Sequence, residues 1–438
     1  MRNLIENDAG LPCTAPDSPK FDYTAEVFDQ MQRLYAINGF NDHQIHCVLR
    51  FEFGPDAELL RKAVAISIET VPILGTRYVD GARPRWTRLD LKEYSRAFVT
   101  THSEMEFEEF VASRVDECFG PQIRVCLLDS TPYAIALKMN HMVCDAAGFK
   151  TYLYLLCQIY SGLIADPQYK PSAIKGDRSI RCVLKRFGLG VKLKSLLLQS
   201  DENNLTGGDQ FPLSSGGEKQ SFVLTRNLGR ERTESLKDYG RASNATLNDI
   251  VLTAYYRCLF RILGLSPGAT LQIPVMVDMR RYLGKIDEPM PLTNLASTVI
   301  THLEYRQQES FEETLRRVKA TMDEKKASNL GLNAFVKLSL IYRIFGDRIA
   351  NRLLRSRLTH PLLGMTNVGV LDSSQLSFGN LRPCDAFLCG SIKYKPYFQL
   401  AISSFQSELT LSVNLCGSAS DQDQIRTFFD EIDSELPR

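Results

Sequence analysis

The sequence predicts an α+β fold built as two halves joined by a bridging region, and three observations carry that expectation. Apolar residues recur at two-residue spacing in some stretches and at three-to-four spacing in others, on both sides of the middle of the chain. Residues 171–219 break that patterning with Pro171, Asn203-Asn204, Gly207-Gly208 and Gly216-Gly217, which is turn and linker chemistry. A chain of 438 residues has room for two to four domains at roughly 100–200 residues each. The expected organisation is an extended leader over 1–20, an N-terminal subdomain over 21–170, a bridging region over 171–219 and a C-terminal subdomain over 220–438.

The elements follow in order. Gly10, Pro12, Pro16 and Pro19 without periodicity make residues 1–20 extended. Cys47, Leu49, Phe51 and Phe53 alternate with polar Arg50 and Glu52, the pattern of a half-buried strand. Leu59, Leu60, Ala63, Ile66 and Val71 recur at helical spacing until Pro72 stops them. Ile123/Val125/Leu127 and Tyr133/Ile135/Leu137/Met139 flank a Ser-Thr-Pro turn and predict an antiparallel hairpin. The parity of its second strand continues to His141, whose ring would join the row of Ile135, Leu137 and Met139 if the extended conformation persists. A helix follows from Gly148 through the apolar run to Ile164. The second half predicts strands at 220–224 and 271–277, helices at 247–263 and 311–326, and a strand near 364–371. It ends in a hairpin at 397–403 and 409–415 and a helix over 421–436.

Composition excludes several classes of protein. Apolar residues are 44%, charged 24% and aromatic 9%, the profile of a globular chain and not of a disordered or fibrous one. A net charge of +1 supplies no global field for nucleic acid, so no nucleic-acid partner is expected. The N-terminus lacks a signal-peptide core, and the longest apolar stretch, 152–165, falls short of the ~20 residues a spanning helix needs, so a cytoplasmic protein with no integral membrane segment is expected. Eleven cysteines without a CxxC pair favour reduced thiols over a disulfide framework.

Six histidines leave each open to inspection. His43, His46 and Cys47 have partial ligand spacing but no fourth ligand, so no metal is expected. His141 stands in Asn140-His141-Met142-Val143-Cys144-Asp145-Ala146, at the end of an apolar strand and before a helix. Such a junction can aim a ring nitrogen into a cleft, while Asp145 orders the turn; a satisfied buried histidine is the plainer alternative. Cys144, inside the same segment, invites a thiol-nucleophile reading, with packing the better one. Lys175, Arg178, Arg181, Lys185, Arg186, Lys192 and Lys194 interleave with Ile180, Val183, Leu184 and Phe187, suiting a solvated face or a contact with an anionic membrane surface, a carrier protein or a CoA phosphate.

The His141-x-x-x-Asp145 segment resembles the His-x-x-x-Asp-Gly motif of the acyl-CoA-dependent acyltransferase superfamily, which includes chloramphenicol acetyltransferase, polyketide-associated acyltransferases and condensation domains of nonribosomal peptide synthetases. Further matches follow in order at Ala242–Ile250, at Asp278-Met279-Arg280 and at Thr366-Asn367-Val368-Gly369. Asn140 stands where many condensation domains have a second histidine, Ala146 replaces the usual glycine, and the Asp-Phe-Gly-Trp-Gly of plant members is missing.

The resemblance implies two chloramphenicol acetyltransferase-like subdomains in a V-shaped pseudo-dimer, with a channel at their interface. It implies acyl transfer from a thioester, acyl-CoA or acyl-phosphopantetheine as co-substrate, to a hydroxyl or amino acceptor without a bound cofactor. His141 would be the general base, a task that suits an imidazole with a reference pKa near ~6.5. Asp145 would pair with Arg280 to hold the loop, and Thr366 or Asn367 would contact the oxyanion or substrate, unless Asn367 and Gly369 simply make a turn. The rivals are condensation of carrier-protein-bound substrates and a non-catalytic scaffold of the same fold.

Overall fold

The computed structural model describes residues 21–197, 209–284, 290–327, 331–358 and 360–438; the expected leader over 1–20 lies outside them. The first half runs β1 (Phe21–Thr24), α1 (Val27–Ile37), β2 (Gln44–Phe51), α2 (Ala57–Thr70), β3 (Thr76–Val79), β4 (Arg85–Arg88), β5 (Phe98–Thr101), α3 (Glu104–Ala112), β6 (Ile123–Leu128), β7 (Tyr133–Asn140) and α4 (Ala146–Ala165). Short helices α5 (Arg181–Leu184) and α6 (Leu189–Leu197) follow. The chain continues with β8 (Gln220–Asn227), α7 (Arg230–Ala242), α8 (Leu247–Ile262), β9 (Thr270–Asp278), β10 (Ala296–Glu304), α9 (Phe311–Ala327) and α10 (Leu332–Arg357). It closes with β11 (Leu363–Leu371), β12 (Asp385–Cys389), β13 (Lys393–Tyr394), β14 (Phe398–Phe405), β15 (Glu408–Gly417) and α11 (Ala419–Glu435).

Among the described residues these strands form three sheets. A five-stranded sheet has the order β12-β2-β7-β6-β5, a seven-stranded sheet runs β10-β9-β11-β14-β15-β13 with β8 also on β15, and β1-β4-β3 make a small third sheet. The expected β6–β7 hairpin is antiparallel in the register Ile123↔Met139 to Leu128↔Ala134. β12 comes from the second half of the sequence yet pairs antiparallel with β2, Leu388 opposite Cys47. The two halves therefore share a sheet as well as an interface.

β2 is buried on both faces instead of one. One side of the sheet packs on α2 and α4 through Leu49, Ile135, Leu137, Leu60 and Leu153, and the other is covered by α3 around Val48, Ala136, Phe107 and Phe387. Each fully buried Leu, Ile or Phe contributes roughly 1.5–3 kcal/mol, which drives the second layer. The strand ends at Phe51, and Phe53 is exposed in place of joining the row. The second core gathers Tyr255 and Leu259 of α8, Ile273 of β9, Leu411 of β15 and Phe428 of α11. Helix starts are locally satisfied: Thr246 caps α8 by accepting from Asp249 N, and Ser418 caps α11 by accepting from Asp421 N.

The bridging region does more than link. Ile180 and Val183 pack with Met279, Leu295 and Phe335 of the second half. Arg178 is buried, forking both guanidinium nitrogens onto the Asp29 carboxylate at 2.9 and 3.0 Å and donating to Leu292 O at 2.7 Å. The solvated face of the basic segment is thus confined to residues such as Arg181, Lys185, Arg186 and Lys194, which are exposed. Nine of the ten described cysteines are free, in line with the preference for thiols over a disulfide framework, and Cys118 is the disulfide-bonded exception. It sits in the turn after α3, outside the core that shields most of the others.

Candidate active site

The site is made where β7 stops. Asn140 ends the strand: its Oδ1 accepts from Met142 N at 2.9 Å, its backbone carbonyl accepts from Val143 N at 3.1 Å, and its Nδ2 donates to Gln122 Oε1 at 2.8 Å. The extended conformation therefore does not persist to His141. The ring leaves the Ile135, Leu137 and Met139 row, which stays in the core, and turns instead onto a cavity of about 660 Å³. His141 N still donates to His43 O at 2.8 Å, so the turn is anchored to the end of β2.

Asp145 caps α4, accepting from Gly148 N at 3.0 Å through Oδ1. Its Oδ2 accepts from Arg280 Nη1 at 2.7 Å and from Leu295 N at 2.6 Å, so both oxygens are occupied and neither reaches the His141 ring. Burial pushes the Asp145 carboxyl up, but the Arg280 charge and these hydrogen bonds outweigh it and hold the group below its usual range. Arg280 also contacts Asp278 at 3.2 Å and donates to Thr293 O at 3.0 Å. The structure thus brings Asp145 and Arg280 together across 135 residues of sequence.

Sequence reasoning missed the segment that locks this loop, Leu292 to Leu295. Asn294 Nδ2 donates to two backbone carbonyls, His141 O at 2.6 Å and Met142 O at 3.1 Å. Those carbonyls can only accept, so the Asn294 amide orientation is fixed and its Oδ1 faces His141 Nδ1 at 3.1 Å as an acceptor. The imidazole is accordingly the Nδ1–H tautomer, which leaves the lone pair on Nε2. Desolvation lowers the His141 pKa from 6.5, with its backbone contacts and Asp145 opposing, so the ring is neutral at pH 7. The signal available for this segment was a polar Thr293-Asn294 pair between Leu292 and Leu295, buried where an exposed connection would be expected.

The remaining candidates separate. Thr366 lines the cavity with His141. Asn367 does not: it is exposed, its Oδ1 accepts from Gly369 N at 2.8 Å and its Nδ2 donates to Asn248 Oδ1 at 3.3 Å. It builds an irregularity in the β11–β14 pairing, with Gly369 at φ +83° as a side chain would resist. Asn367 therefore shapes an irregularity within β11 and does not line the cavity, which leaves Thr366 of that pair on its wall. Cys144 is fully buried against Met139, and burial pushes its thiol well up, which suits packing. His43 and His46 are buried beside carboxylates, Nε2 lying 3.3 Å from Glu117 and 3.5 Å from Asp42 respectively.

Comparison with known proteins agrees with this architecture. A family model described as the WS/DGAT C-terminal domain matches residues 292–436, beginning at the segment that holds His141 and Asp145. Trichothecene 15-O-acetyltransferase from Fusarium sporotrichioides superposes with a TM-score of 0.71 at 12% identity, over 98% of this chain and 100% of that one. Polyketide synthase associated protein 5 from Mycobacterium tuberculosis gives 0.68 at 15% identity, over 96% and 98%. The first condensation domain of the CDA synthetase gives 0.69 at 14%, over 95% and 96%. A search of curated proteins finds no sequence match. The chain therefore shares the fold of these acetyltransferase and condensation-domain structures, and its residues 292–436 are similar to the WS/DGAT C-terminal domain.

Proposed function

We propose that this protein transfers an acyl group from an acyl-thioester, free acyl-CoA foremost, to a hydroxyl or amino acceptor, with His141 as general base. The observation that carries the reading is His141 on the wall of a cavity lined from both halves of the chain, with its Nδ1 held by Asn294 Oδ1 at 3.1 Å. In this reading Nε2 takes the acceptor proton as the acceptor oxygen or nitrogen attacks the thioester carbonyl. The proton then passes to the departing thiolate as the tetrahedral intermediate collapses. Asp145 and Arg280 take no proton; they keep the loop in the geometry that the base needs. Thr366 is the polar group on the cavity wall best suited to contact the oxyanion or the substrate.

Free CoA is favoured over a carrier protein because the net charge is +1 and the bridging segment spends Arg178, Ile180 and Val183 on internal packing. The test offers one acyl group on CoA and on a phosphopantetheinylated carrier protein, with a panel of alcohols and amines, and follows thiol release. Turnover of the CoA thioester that survives charge reversal at Arg181, Lys185 and Arg186 is expected. Turnover confined to the carrier-bound donor and lost on charge reversal would assign the protein to carrier-linked condensation instead. Absence of acyl transfer from either donor across the panel would favour a non-catalytic scaffold.

A further inference from the structure

The cavity that holds His141 also holds a lysine that the proposed chemistry does not use. Lys393 is only 6% exposed, and its backbone is fixed on two sides, by parallel pairing with Leu415 of β15 and by a bridge to Asn41. It lines the cavity with His141, His360 and Tyr397. Among the described residues no hydrogen bond or ion pair reaches its Nζ. The carboxylate in electrostatic range is Asp42: its Oδ1 accepts from Ile392 N at 2.9 Å and Gln44 N at 3.1 Å, while Oδ2 lies 3.5 Å from His46 Nε2 and makes no hydrogen bond to Lys393.

An ammonium held on the wall of a largely desolvated cavity is costly, and an anion entering that cavity would offset the cost. Desolvation lowers the Lys393 pKa to about 8, which still leaves it mostly charged at pH 7. Both His141 and His360 register its charge. The cavity lining also carries a second cation, Arg357. Beside Lys393 stands an aromatic wall: His360 lies 5.3 Å from Tyr397 and 5.3 Å from Tyr35 between ring centroids, and stacks on Phe40 at 5.2 Å.

We propose that Lys393 anchors a carboxylate carried by a substrate, inside the cavity of His141, with the body of that substrate lying against the His360–Tyr397 wall. The substrate class is an organic acid bearing its carboxylate away from the reacting centre, either as the acyl group of a dicarboxylic monothioester or as a hydroxy- or amino-acid acceptor. This rests on the cavity being the acyl-transfer chamber, but its test reads binding and not turnover, so the two can fail separately.

The experiment is calorimetric binding of matched probes to the full-length protein. One arm compares S-(3-carboxypropyl)-CoA with S-butyl-CoA, thioethers that cannot transfer; the other compares 4-hydroxyphenylacetate with its methyl ester. A charge-assisted hydrogen bond in a desolvated site should favour the carboxylate member by about tenfold or more in one arm, and the responding arm names the donor or the acceptor as its source. The preference should vanish in Lys393→Met and Lys393→Gln and persist in His141→Ala. Because both Lys393 variants remove an unpaired buried charge, their melting temperatures should match or exceed that of the wild type. Equal binding within both pairs, a preference that survives in the Lys393 variants, or a clear loss of melting temperature in both variants would overturn the proposal, the last by making Lys393 a structural counter-charge for Asp42.

Discussion

Replacing His141 with alanine is expected to lower acyl transfer by about 10²–10⁴ while the protein remains folded, the range over which positioned general bases act. The ring contributes little to the core: it lines the cavity, and its Nδ1 bonds to Asn294. Far-ultraviolet circular dichroism and the melting temperature should therefore stay near wild type while thiol release falls. Wild-type kcat/KM should show the complementary pH dependence. Burial lowers the His141 pKa from 6.5, so the base stays neutral as pH falls through 6.5 and is lost only below it. The acid limb should have its midpoint under 6.5 and disappear from whatever activity His141→Ala retains. An unchanged rate in the variant with an authentic substrate would remove His141 from the mechanism.

The second large effect concerns the ion pair beneath the loop. Arg280→Ala is expected to destabilise the protein by about 3–5 kcal/mol, because the Asp145 carboxylate then stays buried without its cation. Asp145→Ala should cost at least as much. It removes the same pair and also the helix cap on Gly148 N, worth about 0.5–2 kcal/mol, and leaves Leu295 N without its acceptor. Arg280 retains partial compensation from half-exposed Asp278 and from Thr293 O. The double variant should fall well short of the sum of the singles, by about 1–3 kcal/mol, since the second change removes a charge that the first left unpaired. Denaturant melts of the four proteins measure this coupling, and simple additivity would show that the contact is energetically silent.

How far the sequence could be read depended on where each residue sits relative to regular structure. The β6–β7 hairpin, α2, α4 and the β14–β15 hairpin were legible because their apolar residues keep one period and their ends carry turn or capping residues. His141, Asp145 and Arg280 were singled out by the resemblance of their segments to a known family's motifs, and each stands at the end of an element, where a side chain can leave the core. β10 was not read, because its inward positions include Ser297 and Thr301 beside Val299 and Leu303, which blurs the alternation. β12 is five residues long and takes its place only by crossing to β2, a pairing set by contacts more than 300 residues apart in sequence.

The parts of the site that escaped are those defined by long-range contact alone. Asn294 belongs to no helix or strand, and its role exists only because the chain brings it back to His141 from 153 residues away. Arg178 looked like one of a row of solvated cations until the fork onto Asp29 and the bond to Leu292 O placed it under the same segment. Asn367 failed in the opposite sense. Its residue type suited an oxyanion donor, but the local demand of Gly369 N and the neighbouring Asn248 turned the amide away from the cavity.

In the proposed function the cavity between the halves is the reaction chamber, and His141 Nε2 stands at the acceptor atom that attacks the thioester carbon. The most direct measurement is a crystal structure of the full-length protein with a non-transferable acyl-CoA thioether. The account predicts the sulfur-proximal carbon beside Nε2, with Nδ1 still on Asn294 and the Asp145–Arg280 contact intact. Pantetheine density outside this cavity, or an imidazole turned so that Nδ1 faces the ligand, would contradict it.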